Sequence, residues 1–250
     1  MNILQKKGPL WGSCGLRIGG KEISLILRNF GKIIAVLACL AVFWSAAAGA
    51  RDVPLPLDQL MTKMQDAYDH TTNVRAGFVQ ETLIKSMNKK QREEGTVYFK
   101  KPRQMFWDYT KPKAKKLIIN TSKAWFYIPQ DNAVYVQDAD KIFKSQLAVR
   151  FLSGIGSLRD DFDIAYAGDR AVDERGNYRL VLKAKTADLG VSNLRMTVDQ
   201  GTFQILACSF SDTYGNDTRI QFRNMKVNTD IPARLFNFKP PPKAEVFPMQ

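Results

Sequence analysis

The sequence predicts a mainly β protein with a few helices, in which about eleven antiparallel strands form an incomplete, half-open barrel covered by an α-helical lid. Two observations predict this fold. From residue 74 to residue 227, apolar residues recur with period two in short segments separated by turn residues, which is typical of strands joined by hairpins. Such regular spacing indicates consecutive antiparallel pairing, and a sheet of this width curls because its strands twist.

The start of the chain has the pattern of a secretory signal peptide. An unbroken apolar run at residues 33–44 follows several basic residues, and the stretch of small residues after it ends in Ala48-Gly49-Ala50. We therefore expect residues 1–50 to be a signal peptide that is cleaved after Ala50. Residues 51–250 are then expected to form a single domain.

Two other interpretations of this leader remain open. A membrane anchor needs about twenty apolar residues to span a bilayer, and this run is shorter. Lipidation of Cys39 is suggested by the preceding Val36-Leu37-Ala38, but Cys39 lies inside the apolar run, where processing would leave an apolar stub on the mature protein. Cleavage after Ala50 leaves Cys208 as the one cysteine of the mature chain, so we expect no internal disulfide.

The chain is basic, with 37 Lys and Arg against 24 Asp and Glu. Removal of residues 1–50 takes six of these basic residues and one acidic residue, which leaves a net charge of about +8 on the mature domain. A basic exported protein is attracted to anionic membrane surfaces or acidic partners. Export argues against nucleic acid as the partner.

The predicted elements begin with a helix, because the apolar residues at positions 57, 60, 61, 64, 67 and 68 share one helical face. A second helical pattern covers residues 144–152 and ends in a flexible segment of small residues at 153–157. The predicted strands are residues 74–83, 95–100, 104–109, 116–120, 124–128, 133–137, 162–167, 178–185, 194–199, 204–211 and 218–227.

The sequence offers few residues for catalysis. Its one histidine, His70, follows the first predicted helix, where a charge interaction with the helix C-terminus is the usual role. The acidic pairs at 93–94 and 160–161 do not bring two carboxylates to one reacting centre. One histidine and one mature cysteine are too few for a zinc site. We therefore expect no catalytic residues, no metal site and no cofactor, and we predict that the protein is not an enzyme.

Large apolar side chains, in contrast, recur on strand after strand. In residues 104–109, strand alternation places Met105, Trp107 and Tyr109 on one face and Phe106 on the other. Core packing explains any one of these residues alone. Together they give a curved sheet more concave apolar surface than two short helices fill, and an unfilled apolar concavity is a binding site.

Four stretches of the mature chain carry motifs in a distinctive order. They are Val74–Gln80, with Phe-x-Gln; Gly95–Pro102, leading into Phe106–Pro112; Ala124–Pro129, with Trp-x-Tyr-x-Pro; and Pro232–Pro241, with Phe-x-Phe-x-Pro-Pro. In this order and spacing they resemble the periplasmic outer-membrane lipoprotein carriers, the LolA-like family. The likeness covers nearly all of the mature chain.

The resemblance implies an incomplete antiparallel barrel with an α-helical lid, in agreement with the fold predicted from periodicity. It also implies a function. A member of this family takes lipoproteins by their acyl chains from an inner-membrane lipoprotein-releasing ABC transporter. It then carries them through the periplasm, as a monomer, to an outer-membrane lipoprotein acceptor where one exists.

On this interpretation an apolar cavity holds the acyl chains and a mobile lid closes it. The residues predicted to line the cavity are Phe78, Met105, Trp107, Tyr109, Trp125 and Tyr127. Lid contacts are predicted for Leu147, Phe151 and Leu152, while Gly154 and Gly156 are predicted to let the lid move.

One position differs from the family pattern. Many members have an arginine just before the proline in the strand that leads to the tryptophan, and its side chain holds the lid closed. This chain has Lys101 there, a point charge that cannot reproduce the planar fork of arginine. Lys101 is therefore the candidate lid latch, with Arg103 as the alternative.

Two other functions on the same fold remain open. A non-carrier module that senses lipids or lipoproteins usually has a second domain, for which a chain ending at Gln250 leaves no room. An outer-membrane acceptor needs a lipidated cysteine at its mature N-terminus, whereas the predicted cleavage leaves Arg51.

Overall fold

The computed structural model describes residues 54–145, 158–168, 170–186 and 191–249. The predicted signal peptide and most of the second predicted helix lie outside these ranges. In chain order, the helices and strands are α1 (Leu57–Asp69), β1 (Asn73–Ile84), β2 (Lys89–Lys100), β3 (Gln104–Lys111), β4 (Lys115–Ile119), β5 (Lys123–Ile128), β6 (Ala133–Asp138), α2 (Ala139–Ser145), α3 (Leu158–Asp161), β7 (Phe162–Tyr166), β8 (Tyr178–Ala184), β9 (Val191–Val198), β10 (Ile205–Asp212), β11 (Asp217–Val227) and β12 (Glu245–Pro248).

Twelve strands in the described ranges form one sheet, in the order β12-β6-β5-β4-β3-β2-β1-β11-β10-β9-β8-β7. Two antiparallel meanders, β1 to β6 and β7 to β11, join where β1 pairs with β11. Strand β12 lies parallel to β6 at one edge and β7 forms the other, so the described sheet is open rather than closed. The predicted mainly β fold with an incomplete antiparallel barrel is therefore confirmed.

Helix α1 packs on one face of this sheet, which we call the inner face. Its apolar side was predicted from the spacing of Leu60, Met61 and Met64, and all three side chains are buried. They form one core cluster with residues that β1 to β5 and β7 to β11 direct inward. Burial of this apolar stripe is the main source of the helix's stability, because a helix of this length is marginal alone.

The opposite, outer face is covered in part by the chain that follows β11. Phe106 and Ile118 form a second apolar cluster there with Ile231 and Phe236, and Phe236 is fully buried. The Lys100 ammonium group donates to the Ile231 carbonyl oxygen at 2.9 Å and fixes the same segment. The chain then reaches the sheet edge, where β12 pairs with β6.

Three details differ from the expectation. Strand β12 was missed because four exposed residues that end in proline give little strand signal. Helix α2 begins at Ala139, earlier than the predicted start at residue 144, and residues 146–157 lie outside the described ranges. Strand β2 begins at Lys89 because its charged first half pairs with β1 through backbone hydrogen bonds, which alternation of apolar residues does not reveal.

None of the helices in the described part of the chain has the length and apolar character that a bilayer crossing requires.

Candidate functional site

The inner face carries an aromatic cluster beneath α1. The Phe78 ring lies 4.7 Å from the Trp107 ring and 4.9 Å from the Tyr109 ring, between centroids, and both contacts are edge-to-face. Trp107 also meets Phe99 at 6.0 Å and Phe222 at 6.3 Å. We call these five residues the aromatic floor. Met105 is fully buried beside it.

Gly95 allows the aromatic floor to form. It lies in β2 between Phe78 of β1 and the backbone of β3. A Cβ atom at this position would lie 2.1 Å from the Asp108 carbonyl oxygen and 2.9 Å from Cε1 of Phe78. Only glycine lets the Phe78 ring cross β2 and reach Trp107 and Tyr109.

Among the described residues, a small cavity lies between α1 and the sheet. A cavity of about 50 Å³ lies under the C-terminal end of α1, and its lining includes Tyr68, Phe99, Ile205 and Phe222. That volume holds a few water molecules at most, whereas pockets for drug-sized ligands start at about 300 Å³. This cavity, which Phe99 and Phe222 of the aromatic floor line, is therefore too small for a drug-sized ligand.

The turn between β2 and β3 contacts both α1 and α2 through its basic side chains. The Lys101 ammonium group donates to the carbonyl oxygens of Tyr68 and Asp69 at the end of α1, the second at 3.2 Å. The Arg103 guanidinium group is ion-paired with Asp140 of α2 at 2.6 Å. A cation at a helix C-terminus also interacts favourably with the helix dipole. The structure thus assigns the two candidate latch residues to different helices.

Other polar contacts hold the two ends of α1. Asn228 accepts hydrogen bonds from the Thr72 backbone and hydroxyl groups at 2.8 and 3.0 Å, and it donates to the His70 carbonyl oxygen at 2.9 Å. At the other end Arg159 pairs with Asp58 at 3.0 Å, but Asp58 is almost fully exposed, so this pair adds little stability. Opening at the C-terminal end of α1 therefore breaks the hydrogen bonds of Lys101 and Asn228.

A buried ion pair lies beside Tyr109, at one end of the aromatic floor. Glu93 and Lys115 are 2.6 Å apart, and their side chains are 8% and 24% exposed. Lys115 also lies over the Tyr109 ring, 4.4 Å from its centroid. Burial, and to a lesser extent the charge of Glu93, raise the pKa of the Tyr109 hydroxyl, which donates a hydrogen bond to Gln80 at 3.2 Å. The inner face is therefore polar at this end.

Replacing Glu93 with glutamine is expected to lower the free energy of unfolding by about 1–2 kcal/mol. Breaking a fully buried pair costs about 3–5 kcal/mol, and the loss is smaller here because Lys115 retains some access to solvent. Urea unfolding measures the difference. The matched control is Glu81→Gln, which removes an exposed partner of Arg92 and should cost less than about 1 kcal/mol. Equal losses in the two variants would contradict a stabilising role for the buried pair.

Cys208 lies under the C-terminal end of α1, beside Tyr68. It is 4% exposed on β10, and burial raises the pKa of its thiol to about 12. The pKa of the Tyr68 hydroxyl is raised by burial and secondarily by Cys208, because the two side chains are neighbours in the core. Cys208 therefore reports on the contact between the sheet and the end of α1.

The structure divides the residues that the sequence predicted to line a cavity. Phe78, Met105, Trp107 and Tyr109 lie together on the inner face. Trp125 and Tyr127 point to the outer face, where their rings lie 6.2 and 5.5 Å from that of Phe238. We leave these two out of the candidate site. The predicted lid residues Leu147, Phe151, Leu152, Gly154 and Gly156 lie outside the described residues.

Strand register explains why Trp125 and Tyr127 lie on the outer face. Trp107 pairs with Leu117, and Leu117 pairs with Phe126, so Phe126 rather than Trp125 shares a face with Trp107. Phe99 and Phe222 of the aromatic floor were also not predicted as site residues. Their alternation was visible, but only the pairing of Phe222 with Phe78 shows that β11 adjoins β1.

No group of three or more His, Cys, Asp or Glu side chains is placed to hold a metal ion within the described ranges.

Comparisons with known proteins agree with the fold. The family described as outer membrane lipoprotein carrier protein LolA matches the chain over residues 69–239. An outer-membrane lipoprotein carrier protein from Pseudomonas aeruginosa is 30% identical over 223 residues, which cover 89% of this chain and 98% of that protein. One from Methylococcus capsulatus is 27% identical over 215 residues, which cover 86% and 95%.

A solved structure is also similar. An uncharacterized conserved protein from Thermus thermophilus matches with a TM-score of 0.50 and 14% sequence identity, over 77% of this chain and 98% of that chain. At this level of identity the likeness concerns the fold alone.

Proposed function

This chain belongs to the outer membrane lipoprotein carrier protein family, and from that premise we propose that it is a periplasmic carrier, not an enzyme, that binds the acyl chains of lipoproteins. The acyl chains lie against the aromatic floor of the inner face. The protein carries them from the inner to the outer membrane.

The observation that supports this proposal most is the apolar inner face beneath the amphipathic helix α1, to which Ala139 and Ile142 of α2 also contribute in the described part of the chain. Burial of one CH₂ group is worth about 0.8 kcal/mol, so two or three long acyl chains cannot cross water unprotected. The aromatic floor offers large, rigid apolar side chains, and α1 shields them when no cargo is bound. A carrier needs such a surface that can be covered and uncovered.

Loading requires α1 to separate from the sheet. The cavity of about 50 Å³ is far too small for an acyl chain, and the helix is held at its C-terminal end by a few polar contacts. Acyl chains then replace Leu60, Met61 and Met64 over the aromatic floor. The apolar contacts of the bound acyl chains offset the free energy that is needed to move α1 away from the sheet. The cargo leaves when α1 packs on the sheet again.

Membership of this family supports a proposal for the partners of this cycle. We propose that the monomer receives lipoproteins from an inner-membrane lipoprotein-releasing ABC transporter and delivers them to an outer-membrane acceptor. Depletion of the protein in its own cells should then leave outer-membrane lipoproteins at the inner membrane. A protein that only senses lipoproteins would not cause this change in their localisation.

Photocrosslinking tests the proposed cavity. A benzophenone amino acid at Trp107 should crosslink to the acyl chains of a bound lipoprotein, because this side chain lies on the inner face. The matched control is the same amino acid at Trp125, which lies on the outer face and should give no acyl crosslink. Equal crosslinking at both positions, or crosslinking at Trp125 alone, would overturn the assignment of the inner face.

A further inference from the structure

The outer face of the second meander carries four exposed arginines: Arg179 of β8, Arg195 of β9, and Arg219 and Arg223 of β11. We call this set the arginine face. Strand alternation explains it, because the neighbouring residues Leu180, Met196 and Ile220 point inward and are buried. The four arginines are thus held on the side of the sheet opposite the aromatic floor.

Strand register brings these arginines around a floor of small side chains. Ser209 of β10 pairs with Arg195 on one side and with Arg219 on the other. Neighbouring strands are about 4.8 Å apart, which puts the Cα atoms of those two arginines about 10 Å from each other. Two residues before Ser209 on β10, Ala207 lies between Thr197 and Gln221.

An open groove lies between the arginines, over the small side chains of Thr197 and Ala207. Its volume is about 810 Å³, and Arg170 and Arg175 from the preceding loop also line it. An adjoining groove of about 220 Å³ is lined by Arg179, Arg195 and Arg219. Guanidinium groups therefore surround a recess that is open to solvent.

These arginines have no acidic partner among the described residues. Glu81 lies opposite Arg219 in the register but is ion-paired with Arg92 at 2.7 Å. Asp173, at the rim of the larger groove, accepts hydrogen bonds from the backbone of Arg175 and Asn177 in its own turn. Glu174 is the other carboxylate that lines the groove. The groove therefore has a net positive charge.

We propose that the arginine face docks the protein on the anionic phospholipid headgroups of a bilayer surface. Guanidinium groups bind phosphate oxygens through paired hydrogen bonds, and the hydroxyl groups of Thr197 and Ser209 add donors at the floor. The arginines are spread over several strands of an exposed sheet face, so that they reach several headgroups at once.

The composition of the face favours lipid over an acidic protein. A protein interface usually has exposed aromatic or large apolar anchors at its centre. Here Thr197, Ala207 and Ser209 lie between the arginines. The large apolar residues that line the larger groove, Val172, Leu206 and Phe222, are half-buried or buried rather than exposed. Because the arginine face and the aromatic floor are on opposite sides of the sheet, docking leaves α1 free to open. This proposal is independent of which cargo the inner face binds.

Vesicle binding tests this proposal. Residues Pro54–Gln250 form a compact unit by themselves, and the processed protein is used, with its intact mass confirmed, because an apolar leader would bind lipid directly. We expect binding to vesicles of phosphatidylcholine and phosphatidylglycerol, little binding to phosphatidylcholine alone, and weakening as salt is raised. Replacing Arg195 and Arg219 with glutamine should weaken binding about fivefold for each arginine at low salt.

The matched control is the double variant Lys89→Gln and Lys90→Gln, which removes the same charge from exposed positions outside both grooves. Thermal unfolding of both variants should match that of the parent. If both variants lose vesicle binding equally, the attraction depends only on the net charge of the protein and not on the arginine face, and the proposal is overturned. Absence of binding to anionic vesicles would also overturn it, and binding of polyglutamate that depends on Arg195 and Arg219 would then assign the face to an acidic protein.

Discussion

Replacing Lys101 with methionine is expected to increase the rate at which Cys208 reacts with a thiol reagent by about tenfold to a hundredfold. The Lys101 ammonium group donates to the carbonyl oxygens of Tyr68 and Asp69. Hydrogen bonds of a charged group contribute about 1.5–3 kcal/mol, and each 1.4 kcal/mol changes an opening equilibrium about tenfold. Methionine has a similar length and apolar stem but no donor, so it removes these bonds while it keeps the packing.

Cys208 is a suitable reporter because the closed protein protects it. Burial raises the pKa of this thiol to about 12, so it stays protonated at pH 8, and the side chain is buried. Because Cys208 is buried beside Tyr68 of α1, we expect its reaction to follow movement of the end of α1 away from the sheet, and at low reagent concentration the rate then follows the free energy of that opening. Absorbance of the released thiolate from a disulfide reagent measures it.

The neighbouring lysine provides the matched control. Lys100 donates instead to the Ile231 carbonyl oxygen on the outer face, so Lys100→Met should leave the reaction rate of Cys208 nearly unchanged. Arg103→Met removes the ion pair with Asp140 of α2 and separates the contributions of the two helices. If Lys101→Met reacts no faster than Lys100→Met, Lys101 does not hold α1 closed.

Much of the fold could be predicted from the sequence because each strand contains its own alternation. The pattern in β3 placed Met105 and Trp107 on one face and Phe106 on the other, and the structure confirms that separation. The first helix was predicted from its apolar stripe, and it covers Leu57–Asp69. These features depend on neighbours that are close in the chain, so the local periodicity of apolar residues is sufficient to predict them.

Features that depend on distant residues could not be predicted in the same way. Strand β5 has large apolar side chains on both faces, and its outer residue Trp125 is covered by Phe238, more than a hundred residues later. Alternation identifies two faces but not which of them is inside. Likewise, Arg179, Arg195 and Arg219 are ordinary surface residues in the sequence, and only the register through β10 brings them together.

The two candidate latch residues show what a family resemblance adds and what it leaves open. The resemblance pointed to Lys101 from its place before a proline, and the structure places its ammonium group on the C-terminal carbonyl oxygens of α1. Arg103, the alternative, contacts α2 instead. A sequence motif could not distinguish these two contacts, because both residues belong to the same short turn.

Replacing Gly95 with alanine is expected to lower the free energy of unfolding by about 3 kcal/mol or more, which is at the upper end for an added methyl group in a packed core. The new Cβ atom would lie 2.1 Å from the Asp108 carbonyl oxygen, an atom fixed by the β2–β3 pairing. It would also lie 2.9 Å from the Phe78 ring. Strand β3 has to move, or Phe78 has to leave Trp107 and Tyr109, and either change disrupts the aromatic floor.

The matched control for this variant is Gly77→Ala in the adjoining strand. A Cβ atom there would lie 3.6 Å from the Arg223 carbonyl oxygen and 3.9 Å from that of Gly95, which are ordinary van der Waals contacts. Alanine also reduces the entropy of the unfolded chain, so Gly77→Ala should be neutral or stabilise the protein by up to about 1 kcal/mol. Urea unfolding followed by tryptophan fluorescence measures both variants, and Trp107 reports the rearrangement directly. Similar stability for Gly95→Ala and Gly77→Ala would mean that β2 and β3 are not in the close contact on which the aromatic floor depends.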